Sequence, residues 1–163
     1  MSLARVATGE RTAQDLGATV QAWAQEWRRL PVPPNVMLRV EGLEHLGTVA
    51  FHASTLSRAP LNLVQNALAA MPEGGTLTLR GARTARHVQL QVCDTGSGIR
   101  DDHLPHIFEP LYTTKAEGTG LGLYIMQEIV AAHGGQVRVN SVVGHGTTFT
   151  LTLPCEAEGT AAV

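Results

Sequence analysis

Apolar and polar positions repeat along this chain with two different periods, and the switches between them divide it into elements. Leu16, Val20, Trp23, Trp27 and Leu30 recur at intervals of four and three, which places one stripe on one helix face. Asp15 is positioned to cap that helix and Pro31 to end it. The stripe is expected to pack on the domain's own sheet, being too short for a coiled-coil seam to a partner. Pro31 to Pro34 reads as a stiff extended connector. Val36, Leu38 and Val40 then alternate as a half-buried strand, Glu41-Gly42 begins a turn, and Thr48 to His52 reads as the returning strand. A helix is expected from Ala53 to Met71. Pro60 lies inside it, so the helix either starts near Ser57 or kinks, because proline has no N–H to donate.

Pro72 to Gly75 is a turn. Residues 76–83 and 87–94 alternate as the two strands of a hairpin. Residues 101–107 suit one or two helical turns. Residues 110–120 show no period, and a loop of that length in a compact domain is usually either a functional lid or disordered. Residues 121–133 read as a helix stopped by Gly134-Gly135. Residues 136–141 and 147–153 read as two more strands. Residues 1–11 are expected to form a flexible N-terminal arm and 155–163 a flexible tail, leaving 12–154 as the domain.

This order predicts an α/β fold, a two-layer α/β sandwich with a mixed, mostly antiparallel sheet covered by helices on one face. It is not the regular β-α alternation of a doubly wound sheet, so its glycines do not form a dinucleotide fingerprint. A chain of 163 residues with 44% apolar content is one domain with a real core. The net charge of −2, without a basic run, gives no nucleic-acid footprint. Cys93 and Cys155 make neither a disulfide framework nor a metal site, and Cys93, inside an apolar strand, is expected to be a buried structural thiol. No apolar run reaches the ~18 residues of a membrane span. The expectation is a cytoplasmic domain without direct membrane contact.

Candidate chemistry gathers in four places. Asn62 and Asn66 share a face of an otherwise apolar helix. Buried amides need partners, either nearby backbone or a hard cation such as Mg²⁺, for which an amide oxygen is a suitable ligand. Asp94 ends a strand and precedes Gly96 and Gly98. It can bond its own turn, as strand-end aspartates commonly do, or accept from an exocyclic amine such as that of adenine. Thr113, Thr114 and Lys115 lie in the long loop, where the lysine either meets phosphates or is solvated. Gly118, Gly120 and Gly122 open a helix, and glycines before a helix N-terminus form a phosphate-binding arrangement. None of the seven histidines has metal-ligand spacing to another histidine or a cysteine; His103 and His106 are three apart without a third ligand. The P-loop motif is absent.

Asn62-Leu-Val-Gln-Asn66-Ala67, Asp94-Thr-Gly-Ser-Gly98-Ile99, Ile107-Phe-Glu-Pro110 with Thr113-Thr-Lys115, Gly118-Thr-Gly-Leu-Gly-Leu123 and Gly144-His-Gly-Thr-Thr-Phe149 resemble, in order and spacing, the N, G1, F and G2 boxes and closing strand of sensor histidine kinases. The resemblance runs over about residues 53–153. It implies the GHKL-type ATP-binding fold, with a lid at about 108–120. It further implies that Asn66 binds Mg²⁺, that Asn62 assists at the phosphates, and that Asp94, with Gly96, Gly98 and Ile99 of the same motif, reads adenine. Thr147 would support the base, and Phe108 would anchor the lid. Thr114 and Lys115 would face the phosphates, as would Gly118, Thr119, Gly120, Leu121, Gly122 and Leu123. ATP and Mg²⁺ are thus the implied ligands.

The sequence departs from the family at two places. Many members carry a basic and an aromatic residue where Ala69 and Ala70 stand. The family's acceptor histidine sits on a dimerising hairpin, and residues 1–44 contain no histidine. The chain is therefore expected to be the catalytic domain alone, monomeric, phosphorylating a histidine on an acceptor hairpin supplied from elsewhere, with a response regulator downstream. The rivals are a serine kinase of the same fold, a nucleotide-binding interaction module without transfer, and a hydrolytic ATPase. The last places a glutamate where Asn62 stands, and an amide cannot take a proton from water.

Overall fold

In a computed structural model the chain is described over residues 10–112 and 121–155. Short strand β1 (Thr12–Asp15) leads into α1 (Leu16–Trp27), β2 (Val36–Glu41), β3 (Thr48–Phe51), α2 (Ala53–Leu56), α3 (Arg58–Ala69), β4 (Gly75–Arg83), β5 (His87–Asp94), α4 (Gly122–Ala132), β6 (Gln136–Val142) and β7 (Gly146–Pro154). Five strands form one sheet in the order β2-β4-β5-β7-β6. Only β2 and β4 run parallel; the other three pairs are antiparallel. The mixed, mostly antiparallel sandwich is the fold the pattern predicts.

Alternation decides which face is covered. Leu77, Leu79, Val88, Leu90, Val92, Phe149, Leu151 and Leu153 point to one side and are buried against Val20, Leu63, Val64, Ala67, Met126, Ile129 and Val130 of the helices. The other side carries Thr76, Arg80, Gln89, Gln91, Thr148 and Thr152, all at least partly open to solvent. Cys93 belongs to this outer row and is only half-buried. The expectation of a buried thiol was wrong because an apolar neighbourhood in sequence does not say which way a strand residue faces.

Three boundaries depart from the sequence reading. Thr48–Phe51 does not return against β2; it pairs with β1 in a separate two-stranded ladder, and β2 instead takes β4 as its neighbour. Turn chemistry marked where the strands end but not which edge each would find. The long helix breaks at Ser57, and Pro60 sits in the first turn of α3, where its missing N–H costs little. The first helix stops at Trp27, followed by a turn in which Leu30 N–H reaches Trp27 O. Its start is as expected, with Asp15 Oδ1 accepting from Ala18 N–H at 2.9 Å.

At the C-terminal end of α4, His133 is buried and fully engaged. Its Nε2 accepts from the His52 amide at 3.2 Å, which leaves the proton on Nδ1 to donate to Ile129 O at 2.9 Å. Burial holds its pKa below the usual imidazole range. The Ile129 carbonyl opposes that shift, and the nearby Arg11 and His52 reinforce it. Arg11 also donates to the His133 carbonyl at 3.1 Å, tying down the last residue of the stretch expected to be a flexible arm. Among the described residues no helix is long and apolar enough to cross a membrane.

Candidate nucleotide-binding site

The covered face of the sheet is apolar through its middle rows, with Arg83 beside Val88 and Leu153 in the first one. Val40, Leu79, Val92, Phe149 and Val139 face one another across all five strands, and the next row runs Leu38, Leu77, Asp94, Thr147, Ser141. Three polar side chains thus stand side by side where the alternation calls for apolar ones. Asp94 is half-buried. Its Oδ1 accepts from Gly96 N–H at 2.8 Å, and the backbone of Thr147 gives a second hydrogen bond. Burial pushes its pKa above the ordinary carboxylate range, and these two bonds only partly offset that.

The glycine segment after Asp94 is fastened on both sides. Ser97 N–H reaches Ala70 O at 3.2 Å, and Ser97 O accepts from Gly144 N–H at 2.8 Å. A Cβ on Gly96 would lie 2.6 Å from Ala70 O. Gly98 adopts φ +76°, and a Cβ there would lie 2.4 Å from Val142 O. Both glycines are therefore required by the protein's own packing. Ile99 N–H donates to Ser141 Oγ at 2.7 Å, and Ser141 Oγ lies 2.8 Å from Thr147 Oγ1. Asp94, Gly96, Gly98, Ile99 and Thr147 thus form one cluster. Ser141 belongs to it and was missed in the sequence. Its signal was there: it occupies the inward phase of a strand whose other inward residues are Val137 and Val139.

A second cluster lies between α3 and α4. Asn62 and Asn66 are both half-buried on one face of α3. Asn62 Oδ1 is 3.6 Å from where a Cβ on Gly122 would stand, so the amide looks onto the first residue of α4. Leu121 gives that helix no side-chain cap, and first-turn amides have no partner within their own helix. Leu123 packs against the core. The two clusters are linked through α3, which carries both asparagines and ends at the Ala70 carbonyl that holds Ser97.

Phe108 is half-buried and meets Phe149 edge-on, with ring centroids 6.3 Å apart and planes at 80°. Ile107 beside it is buried in the core. His103 Nδ1 is hydrogen-bonded to the Tyr112 hydroxyl, and His106 Nδ1 lies 2.9 Å from Glu109. The two histidines expected to lack a third metal ligand thus hold the start of the long loop. Thr113, Thr114, Lys115, Gly118, Thr119 and Gly120 lie outside the described residues. Among those described, no three His, Cys, Asp or Glu side chains gather as a metal site.

Residues 52–157 match the family described as histidine kinase-, DNA gyrase B-, and HSP90-like ATPase. The chain belongs to this family. The relatives found include sensor histidine kinases and sporulation kinases. Sensor histidine kinase ZraS of Escherichia coli strain K12 is 40% identical over 119 residues, which are 73% of this chain and 26% of that protein. The mycobacterial sensor histidine kinase MprB superposes with a TM-score of 0.77 at 27% identity, covering 90% of this chain and 99% of the solved one. Full-length ShkA in complex with AMPPNP gives 0.75 at 25% identity, covering 99% of this chain and 33% of that one. The chain is an ATPase domain of the sensor histidine kinase type and spans about a quarter of the length of the curated relatives it matches.

Proposed function

We propose that this ATPase domain binds Mg-ATP between the Asp94 row and the α3–α4 cluster and passes the γ-phosphate to a histidine on a separate dimerisation hairpin. The observation that carries the reading is Asp94, a half-buried carboxylate held by two backbone groups in a row of three polar side chains at one end of a largely apolar face. A group so placed discriminates by hydrogen bonding, and an adenine amine is a donor that fits it. Gly96, Gly98, Ile99 and Thr147 frame the base. Asn62, with Leu121, Gly122 and Leu123, faces the phosphates, and Thr114, Lys115, Gly118, Thr119 and Gly120 add to the same phosphate contacts.

The donor set fits Mg²⁺ held chiefly by phosphate oxygens and waters, because Asn66 carries an amide oxygen and, among the described residues, no carboxylate cluster gathers. The ion would supply charge neutralisation at the transferring phosphoryl group. Phe108 anchors the lid on Phe149. Asn62 cannot act as a base toward water, so hydrolysis without an acceptor is slow. The phosphohistidine then serves a response regulator, and the domain alone is a monomer.

Calorimetry of Mg-ATP binding to the native chain and to Asp94→Asn tests the first half. Loss of a charge-assisted hydrogen bond is expected to weaken binding by about 1.5–3 kcal/mol, roughly tenfold or more. Labelled ATP with an added acceptor hairpin tests the second half. Tight binding with an unlabelled hairpin would leave a nucleotide-binding interaction module instead.

A further inference from the structure

Ser141 is the one member of the polar row to which the nucleotide reading gives no role, and its hydroxyl is the most heavily used. It lies 2.7 Å from Ile99 N, 3.1 Å from Gly146 O and 2.8 Å from Thr147 Oγ1. A serine hydroxyl has one proton and two lone pairs. The Ile99 amide can only donate and the Gly146 carbonyl can only accept. All three contacts are satisfied together in one way: Ser141 gives its proton to Gly146 O and accepts from both Ile99 N–H and the Thr147 hydroxyl. The Thr147 proton is then committed to Ser141. What Thr147 Oγ1 offers to anything else is lone pairs alone.

We propose that Ser141 is a positioning residue for base selection: it fixes the Thr147 hydroxyl as an acceptor beside the Asp94 carboxylate, so that the row presents acceptors only and favours a 6-amino group, which brings two N–H donors, over a 6-oxo group, which brings none. The inference rests on the nucleotide reading above and extends it from binding to discrimination. Without Ser141 the Thr147 hydroxyl regains its proton as a free donor and can meet a 6-oxo group. The Ile99 amide, which closes the glycine segment over the row, also loses its acceptor.

The test compares Mg-ATP with Mg-inosine triphosphate by calorimetry, using the native chain, Ser141→Ala, Thr147→Val and the double variant. The native chain is expected to prefer ATP. Ser141→Ala should narrow that preference about three- to tenfold, the size of one neutral hydrogen bond. Thr147→Val should narrow it similarly, and the double variant no further than Thr147→Val alone, since the serine acts through the threonine. Ser141→Thr, which keeps the hydroxyl, should restore the preference. A cooperative thermal transition of Ser141→Ala verifies that the variant is folded. Equal weakening of both nucleotides in Ser141→Ala, or an unchanged ratio, would overturn the inference while leaving nucleotide binding intact. A native chain that binds neither nucleotide would remove the nucleotide reading itself, and this one with it.

Discussion

His133 and Asp94 are both titratable groups that burial pushes toward their neutral forms, yet they stand in opposite situations. His133, at the C-terminal end of α4, has each ring nitrogen matched to a backbone partner and is closed off by its own protein. Asp94 is held by two backbone groups and remains half-open at the last row of the sheet. A buried polar group whose bonds are all internal is part of the scaffold. One that is oriented but left partly open is available for a ligand. Burial and shifted acidity alone would not have separated the two.

The contrast can be broken from the scaffold side first. His133→Ala removes the acceptor of the His52 amide and leaves a void, and should cost about 2–4 kcal/mol of unfolding free energy. Its effect on the ATP-to-inosine-triphosphate affinity ratio should be nil. Chemical denaturation and calorimetry on the same preparation read both quantities; a changed ratio would mean that the two ends of α4 are coupled.

Asp94→Asn should do the reverse. The folded chain binds its Asp94 proton more tightly than the unfolded chain does, so ionisation of Asp94 at neutral pH counts against the fold. Stability from this group is greatest below its ordinary pKa and falls as pH rises through the raised one. The amide variant removes the charge but keeps one acceptor oxygen for the Gly96 and Thr147 backbone groups. With these effects opposed, its ligand-free melting temperature should change little while nucleotide affinity drops. A melting temperature lowered as far as that of His133→Ala would make Asp94 a scaffold residue like His133.

Asp15→Ala removes an N-cap far from the row and should cost about 1 kcal/mol, with no change in binding. The smallest expected effect is on pH dependence. His133 titrates lower when folded, so its contribution is complete above about 6.5 and is lost as pH falls toward the depressed value. His133→Gln, which keeps an acceptor without titrating there, should flatten that part of the stability profile. A slope that persists would assign it to other groups.

Much of this was legible in the residues, and for identifiable reasons. Period-two runs gave β4 and β5 nearly to the residue because both bury one face. Asp15 and Gly134-Gly135 marked helix ends by chemistry that acts locally. The pairing of Thr48–Phe51 with β1 was not legible, since a short strand carries no signal for its partner. Asp94 could be singled out as a strand-end acid before glycines. Ser141 could have been found by asking which inward position of β6 is polar. What no pattern gave was the second reason for Gly96 and Gly98, which only the approach of Ala70 and Val142 makes visible.

The contact between Gly96 and Ala70 also constrains how this domain can diversify. Ala69 and Ala70 are adjacent in sequence but not equivalent as places to build. Ala69 is exposed at the end of α3, so a lysine or arginine grafted there has room to extend. Ala70 lies beneath the glycine segment, with its Cβ 2.8 Å from where a Cβ on Gly96 would be, and any longer side chain there must lean away or lift the segment that holds Asp94. Position 69 is thus open to single-step change, whereas a larger residue at 70 must turn away from 96, which is already glycine and has no side chain left to give up.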